Sequence, residues 1–135
     1  MPITTTVRDV MTKDLISVKT TDPAIAAIEA MTKNNIGSVV VTEDGKPVGI
    51  LTERDIMKKV CPEKLCTSAV TAGQVMSKPL ITIEADARLG EAAMLMTEKD
   101  IRRLLVTDKG KVVGIITQKD IMRGTLETFM VLASI

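Results

Sequence analysis

Two threonine–aspartate pairs carry most of the chemistry that this sequence offers. Thr52 and Asp55 stand in Val48-Gly49-Ile50-Leu51-Thr52-Glu53-Arg54-Asp55-Ile56-Met57, and Thr117 and Asp120 recur in Val113-Gly114-Ile115-Ile116-Thr117-Gln118-Lys119-Asp120-Ile121-Met122. In each, a strand-like apolar run ends at the threonine and a helix-like pattern begins behind it. A helix start leaves N–H groups without partners, which a threonine oxygen can accept from. The same N–H groups and the helix dipole favour an anion such as phosphate. An aspartate one turn in lies on the same face. Its carboxylate can accept hydrogen bonds from two adjacent hydroxyls at charge-assisted strength. Thr-x-x-Asp is also close to a capping box, which accounts for both pairs without a ligand. That box prefers Glu or Gln in the last place, and both copies carry the shorter Asp. The two readings are compatible, because a capping threonine can still face a ligand.

Arg102-Arg103 is the strongest difference between the two halves, since Gly37-Ser38 occupies the matching place. The planar fork of arginine suits phosphate; two arginines before a strand can also simply be solvated. Other chemistry is thin. The absence of histidine removes the commonest general base, metal ligand and near-neutral pH switch together. With no serine or cysteine beside a plausible base and no clustered metal ligands, the sequence does not read as an enzyme. Cys61 and Cys66 alone make a poor zinc site; they read as small apolar residues in a linker, with a redox role as the alternative. The methionines fall mostly at core spacing.

Composition narrows the partners. Lys and Arg number 18 against 17 Asp and Glu, and the net charge of +1 gives no pull toward nucleic acid or anionic lipid. One Phe, no Trp and no Tyr leave no platform for stacking bases. No apolar run is long enough to span a membrane. Met1-Pro2-Ile3-Thr4-Thr5-Thr6 lacks the charged start and apolar stretch of a signal peptide, so a cytoplasmic location is expected.

The elements that position these residues come from a tandem repeat. Residues 10–59 overlay 75–124 without a gap, with about 20 of 50 positions identical. Repeat one spans 7–60, a polar linker 61–71, and repeat two 72–124. The pattern predicts a strand at Leu15 to Val18 and a helix opened by Asp22 as N-cap and Pro23 in its first turn. That helix has an apolar face at Ala24, Ala27, Ile28 and Met31, and a left-handed exit at Gly37. A strand at Val39-Val40-Val41, a hairpin turn at Asp44-Gly45 and a return strand from Val48 to Leu51 follow. The second helix runs from Thr52 to about Val60. One such repeat is too small to bury its sheet alone. The fold class expected is therefore α/β (α+β): two repeats packed sheet to sheet about a pseudo-twofold axis, with two related clefts where they meet. Residues 125–135 have no counterpart in repeat one. They read as an apolar helical extension that packs on this domain or on a second subunit.

The chain resembles the cystathionine-β-synthase (CBS) domain pair, or Bateman module. The likeness rests on Val10-Met11, the Gly45 and Gly110 turns, Ile101-Arg102-Arg103-Leu104-Leu105-Val106, and Gly-Ile-Leu-Thr-Glu-Arg-Asp at 49–55 with Gly-Ile-Ile-Thr-Gln-Lys-Asp at 114–120. It covers residues 7 to 124. The resemblance implies a β-α-β-β-α repeat, homodimers, and an adenosine-containing ligand (AMP, ADP, ATP or an S-adenosyl compound) in the inter-repeat clefts. It implies no required cofactor; the adenine nucleotide is a regulatory ligand. The reading is of a stand-alone pair, and such a sensor is expected to report to a separate effector protein or through its own assembly. A ligand-free structural dimerisation module is the alternative.

By the same resemblance, Asp55 and Asp120 would take ribose hydroxyls, as an acid does in other nucleotide folds. Thr52 and Thr117 would face the phosphate. Arg102 and Arg103 would reach the phosphate of the nucleotide held by Thr52 and Asp55, leaving the cleft of Thr117 and Asp120 weaker or empty. Ile16 and Ile81 would wall the base, or else serve as ordinary core. Lys13 and Lys78 would add charge at the rim, or else be plain surface lysines.

Overall fold

The computed structural model describes residues 6–134. The start of the N-terminal segment and Ile135, the end of the expected extension, lie outside the described residues. Packing divides the chain into two compact units. One is Leu15–Leu80; the other joins the N-terminal segment up to Asp14 with the chain from Ile81 onward.

The Leu15–Leu80 unit holds β1 (Ser17–Lys19), α2 (Ala24–Asn34), β2 (Ser38–Glu43), β3 (Lys46–Thr52), α3 (Glu53–Asp55, continuing as a π-helical turn over Ile56–Val60) and α4 (Ala72–Val75). The other unit holds α1 (Val7–Val10), β4 (Thr82–Glu84), α5 (Leu89–Lys99), β5 (Arg103–Asp108), β6 (Lys111–Thr117) and α6 (Gln118–Ala133). Each unit has one three-stranded sheet, ordered β1-β2-β3 and β4-β5-β6. The first pair in each is parallel and the second antiparallel. The fold class is thus mixed α+β, as expected.

Local chemistry explains the elements. The β-branched run Val39-Val40-Val41 is buried on both faces, as a central strand requires. The hairpins turn at Asp44-Gly45 and Lys109-Gly110, where both central residues have positive φ, the geometry of a type I′ turn. Small Ala24 and Ala27 let α2 lie close on its sheet, with Met31 filling the end of that face. Ala92 and Met96 play the same part on α5.

Two expected helix boundaries differ. The left-handed exit of α2 is Asn35, at φ 52°, not Gly37, and α5 ends the same way at Asp100. In both, two N–H groups fold back onto the last turn: Ile36 to Met31 and Ile101 to Met96 at 3.0 Å, with Asn35 to Thr32 and Asp100 to Thr97 at 3.3 Å. Short polar side chains tolerate this conformation, so glycine is not needed. The Asp22 side chain does not cap α2 either; it accepts from Lys19 N at 2.8 Å. Pro23 takes the N-cap place. The first N–H groups of α2 go to the linker, Ala24 to the Val70 carbonyl and Ile25 to the Thr67 carbonyl, both at 2.8 Å. The linker is therefore part of the first unit's framework.

The repeated Val-Met segments dock across the repeated Gly-Ile strands. Ser77 and Ile50 exchange backbone hydrogen bonds at 2.8 and 3.1 Å, and Thr12 and Ile115 do so at 2.8 and 2.9 Å. The crossings pass over Gly49 and Gly114. A Cβ on Gly114 would lie 2.8 Å from the Thr12 carbonyl oxygen, and one on Gly49 would meet the Met76 sulfur and lie 3.0 Å from the Ser77 carbonyl oxygen. Glycine is required at both by this close approach. The segment around Val10-Met11 thus completes the unit containing repeat two's sheet, and the segment around Val75-Met76 completes the unit containing repeat one's sheet.

Helix α6 runs unbroken through the extension to Ala133. Leu126, Phe129, Met130 and Leu132 are all exposed, so these side chains do not pack on this chain.

Candidate functional site

In the first unit, β3 delivers Thr52 in extended conformation to the start of α3. Thr52 Oγ1 accepts from Asp55 N at 3.2 Å, and Asp55 Oδ2 accepts from Thr52 N at 2.9 Å and Thr52 Oγ1 at 3.1 Å. This is a complete capping box built with aspartate. The other oxygen, Oδ1, accepts from Ser77 Oγ at 2.6 Å and pairs with Lys59 Nζ at 3.0 Å. Lys59 Nζ also donates to the carbonyls of Val75 at 3.1 Å and Met76 at 3.3 Å, which close the C-terminal end of α4. A cation at helix-terminal carbonyls is favourable. Lys59 therefore bolts α4 and the following segment to the Asp55 carboxylate.

The second unit repeats the box and changes the partner. Asp120 Oδ2 accepts from Thr117 N at 2.9 Å and Thr117 Oγ1 at 3.1 Å, while Oδ1 accepts from Arg123 at 2.6 Å. Arg123 reaches back one turn on its own helix and is 58% exposed. Gly124 matches Lys59, and Thr12 matches Ser77. The repeats thus neutralise equivalent acids with cations from different helical positions.

Burial separates these acids from ordinary caps. Thr6 with Asp9 and Thr71 with Gln74 form further boxes at α1 and α4. Asp9 and Gln74 are exposed, whereas Asp55 and Asp120 keep 4% and 5% of their surface. They are the only buried charged residues among the described ones. Capping does not require that burial, and removing a carboxylate from water is costly unless it is paired.

Arg102 and Arg103 lie in the unit of Thr117 and Asp120. Gln118 N donates to the Arg102 carbonyl at 3.0 Å, and Arg103 sits opposite Thr117 across β5 and β6. Arg102 is exposed and Arg103 half-buried. In the other unit the matching Ser38 is buried opposite Thr52. Ile16 and Ile81 are half-buried, each packed against its own unit's core. Their carbonyls accept from Val40 and Leu105 at the parallel strand pairs. Lys13 and Lys78 are exposed. Cys61 and Cys66 are free thiols on the surface. Hydrogen bonding from the Ser68 side chain, 3.0 Å away, and from the backbone of Ser68 and Ala69 holds the Cys66 thiol below its ordinary pKa. Among the described residues no group of three His, Cys, Asp or Glu is placed to hold a metal ion, and no helix is long and apolar enough to cross a membrane.

Sequence reasoning missed Ser77, Lys59 and Arg123. The two cations were available as i+4 and i+3 partners of the aspartates. Ser77 carries no local signal, because only the fold returns the chain to Asp55.

The profile of the CBS domain matches residues 7–61 and again 72–127. An uncharacterised protein of Methanopyrus kandleri is 42% identical over 87% of this chain and 61% of its own length. Hypoxic response protein 1 of Mycobacterium tuberculosis is 32% identical over 88% of this chain and 84% of its own. An uncharacterised Methanocaldococcus jannaschii relative is matched over only 31% of its length, so this chain spans a part of some longer relatives. A crystal structure of a conserved Pyrococcus horikoshii protein superposes with a TM-score of 0.84 at 32% identity, covering 93% of this chain and 95% of that one.

Proposed function

Because the chain belongs to the CBS-domain family and carries the domain twice, we propose that it binds an adenosine-containing ligand and acts as a regulatory module rather than an enzyme. The observation that carries this reading is the division of labour within each buried carboxylate. Oδ2 of Asp55 and of Asp120 is committed to the local cap, while Oδ1 is held by side-chain groups that can exchange. The cations concerned, Lys59 and Arg123, are 43% and 58% exposed and can swing to water. A ribose diol supplies two O–H donors that replace them at Oδ1. A released ammonium or guanidinium then stands beside the ligand's phosphate. Exposed Arg102 adds positive charge, and the helix starts at Thr52 and Thr117 add N–H dipoles. Ile16 and Ile81 offer apolar surface to the base.

Regulation follows if the ligand binds one state of the module more tightly than another; equal affinity for both would shift nothing. The readout is a separate effector protein or the module's own assembly. One observation favours a second reading, a structural adaptor with no ligand: both boxes are complete and both acids are paired by protein groups alone. A thermal-shift panel of AMP, ADP, ATP, S-adenosylmethionine and adenosine separates the two. At about 100 times Kd a ligand stabilises by roughly 2.7 kcal/mol. The sensor reading expects a clear shift for at least one, reduced in Asp55→Ala or Asp120→Ala. Silence across the panel overturns it and leaves the adaptor.

A further inference from the structure

Strand β3 is an outer strand of its sheet, and so is β6 of the other. Each is met along its outer edge by one residue of a crossing segment, Ser77 at Ile50 and Thr12 at Ile115. Backbone pairing one residue long is weak by itself, so side chains decide how firmly a crossing is held. The two crossings are held differently. In the first unit a single ammonium gathers the crossing. Lys59 Nζ lies 3.0 Å from Asp55 Oδ1, 3.1 Å from the Val75 carbonyl oxygen, 3.3 Å from that of Met76 and 3.4 Å from Ser77 Oγ. Ser77 Oγ itself donates to Asp55 Oδ1 at 2.6 Å. Three consecutive residues, Val75, Met76 and Ser77, thus hang on one carboxylate oxygen. In the second unit Gly124 stands in the place of Lys59 and has no side chain to reach with. The cation on Asp120 Oδ1 is Arg123, three residues on in the same helix. That ion pair joins α6 to itself rather than to a crossing.

We propose that Lys59 and Ser77 make Asp55 the transmitting site of this protein and Asp120 a silent one. The inference rests on the ligand reading above, in which two ribose hydroxyls take Oδ1. At Asp55 they displace Lys59 and Ser77, and the Val75–Ser77 segment loses its tether. The first unit ends at Leu80, so the loosening falls on the stretch of chain that leads from one unit into the next. At Asp120 the same exchange frees Arg123 and leaves the Thr12 crossing as it was. Lys59 suits the role because it is 43% exposed, so its released ammonium meets water instead of being stranded in the core. Coupling of this kind is reciprocal: a ligand that loosens the crossing binds more tightly once the crossing is already loose.

The test is amide hydrogen exchange on the full chain, read at Ser77 and Ile50 and at Thr12 and Ile115. Without ligand, Lys59→Met is expected to speed exchange at Ser77 and Ile50 at least about tenfold and to leave Thr12 and Ile115 within about twofold. Arg123→Met is expected to leave both pairs within about twofold. Saturating AMP, its binding followed by calorimetry, is expected to speed exchange at Ser77 and Ile50 in the wild type but not at Thr12 and Ile115. In Lys59→Met it is expected to add little. A lysine that only stabilises would raise exchange evenly through its unit, at Val40 as much as at Ser77, and that result overturns the inference. So does a Lys59→Met chain with Ser77 unchanged. AMP that binds yet leaves Ser77 and Ile50 protected, or that moves both crossings alike, overturns the coupling and spares the ligand reading. AMP that gives no heat overturns the ligand reading and the transmission with it.

Discussion

At Asp55 and Asp120, capping and a second role are carried by different oxygens of one side chain. The capping share is testable alone. Thr52→Ala and Thr117→Ala each remove the hydroxyl that accepts from the aspartate N–H, and each is expected to cost about 1 kcal/mol in urea unfolding. The exchangeable share is tested at Lys59. Lys59→Met removes one competitor for Asp55 Oδ1 and unbolts the end of α4. It is expected to destabilise by about 1–2 kcal/mol, since Lys59 is itself partly exposed. It is expected also to tighten the binding of adenosine several-fold, read by calorimetry, because adenosine lacks the phosphate that a released Lys59 would meet. Cys66 gives a pH-dependent prediction. Its thiolate is the reactive form, and the hydrogen bonds from Ser68 and Ala69 favour that form. In a Cys61→Ser background, alkylation should therefore rise with pH at a midpoint below that of an ordinary thiol. Ser68→Ala should move that midpoint upward and slow the reaction at neutral pH. At this scale the sequence exposed the threonines and aspartates through their repetition, and Arg102 and Arg103 through a break in it at Gly37-Ser38. It hid Ser77, which lies 22 residues from Asp55 and meets it only after folding.

Among the elements, the crossings over Gly49 and Gly114 decide how the segments pair. Gly114→Ala puts a methyl group against a backbone carbonyl, which cannot rotate away. A loss of about 1–3 kcal/mol is expected, with weakened protection from hydrogen exchange at Thr12 and Ile115. Gly90, where an added methyl group would have nothing within 4 Å, is the control. Gly90→Ala on α5 is expected to be neutral or to stabilise by up to about 1 kcal/mol. Strands, hairpins and helices were legible because periodicity and turn residues are local signals. The Val-Met and Gly-Ile repeats were visible too, but their pairing was not. Periodicity says that Val10-Met11 is apolar; only the folded chain shows that it completes the unit containing Ile115. The exit of α2 falls two residues before Gly37 because asparagine and aspartate also accept left-handed backbone, so glycine does not mark the end of the helix uniquely.

For the molecule as a whole, each unit has its own core and its own buried acid, and the chain lengthens its last helix beyond the repeated pattern. That addition was legible as an apolar stretch without a counterpart. Which of its side chains turn inward was not legible, because only the folded chain buries Gly124 and half-buries Val131. A module of this kind regulates only through a difference in affinity between states, so the ligand's contact with the carboxylates is the point on which the proposed function turns. The direct measurement is calorimetric titration of the full chain with AMP and with its 2′,3′-dideoxy analogue. Two charge-assisted hydrogen bonds to a buried carboxylate predict that removing both hydroxyls weakens binding at least tenfold, about 1.4 kcal/mol. Equal affinity for the two compounds would contradict the assignment of Asp55 and Asp120 to the ribose.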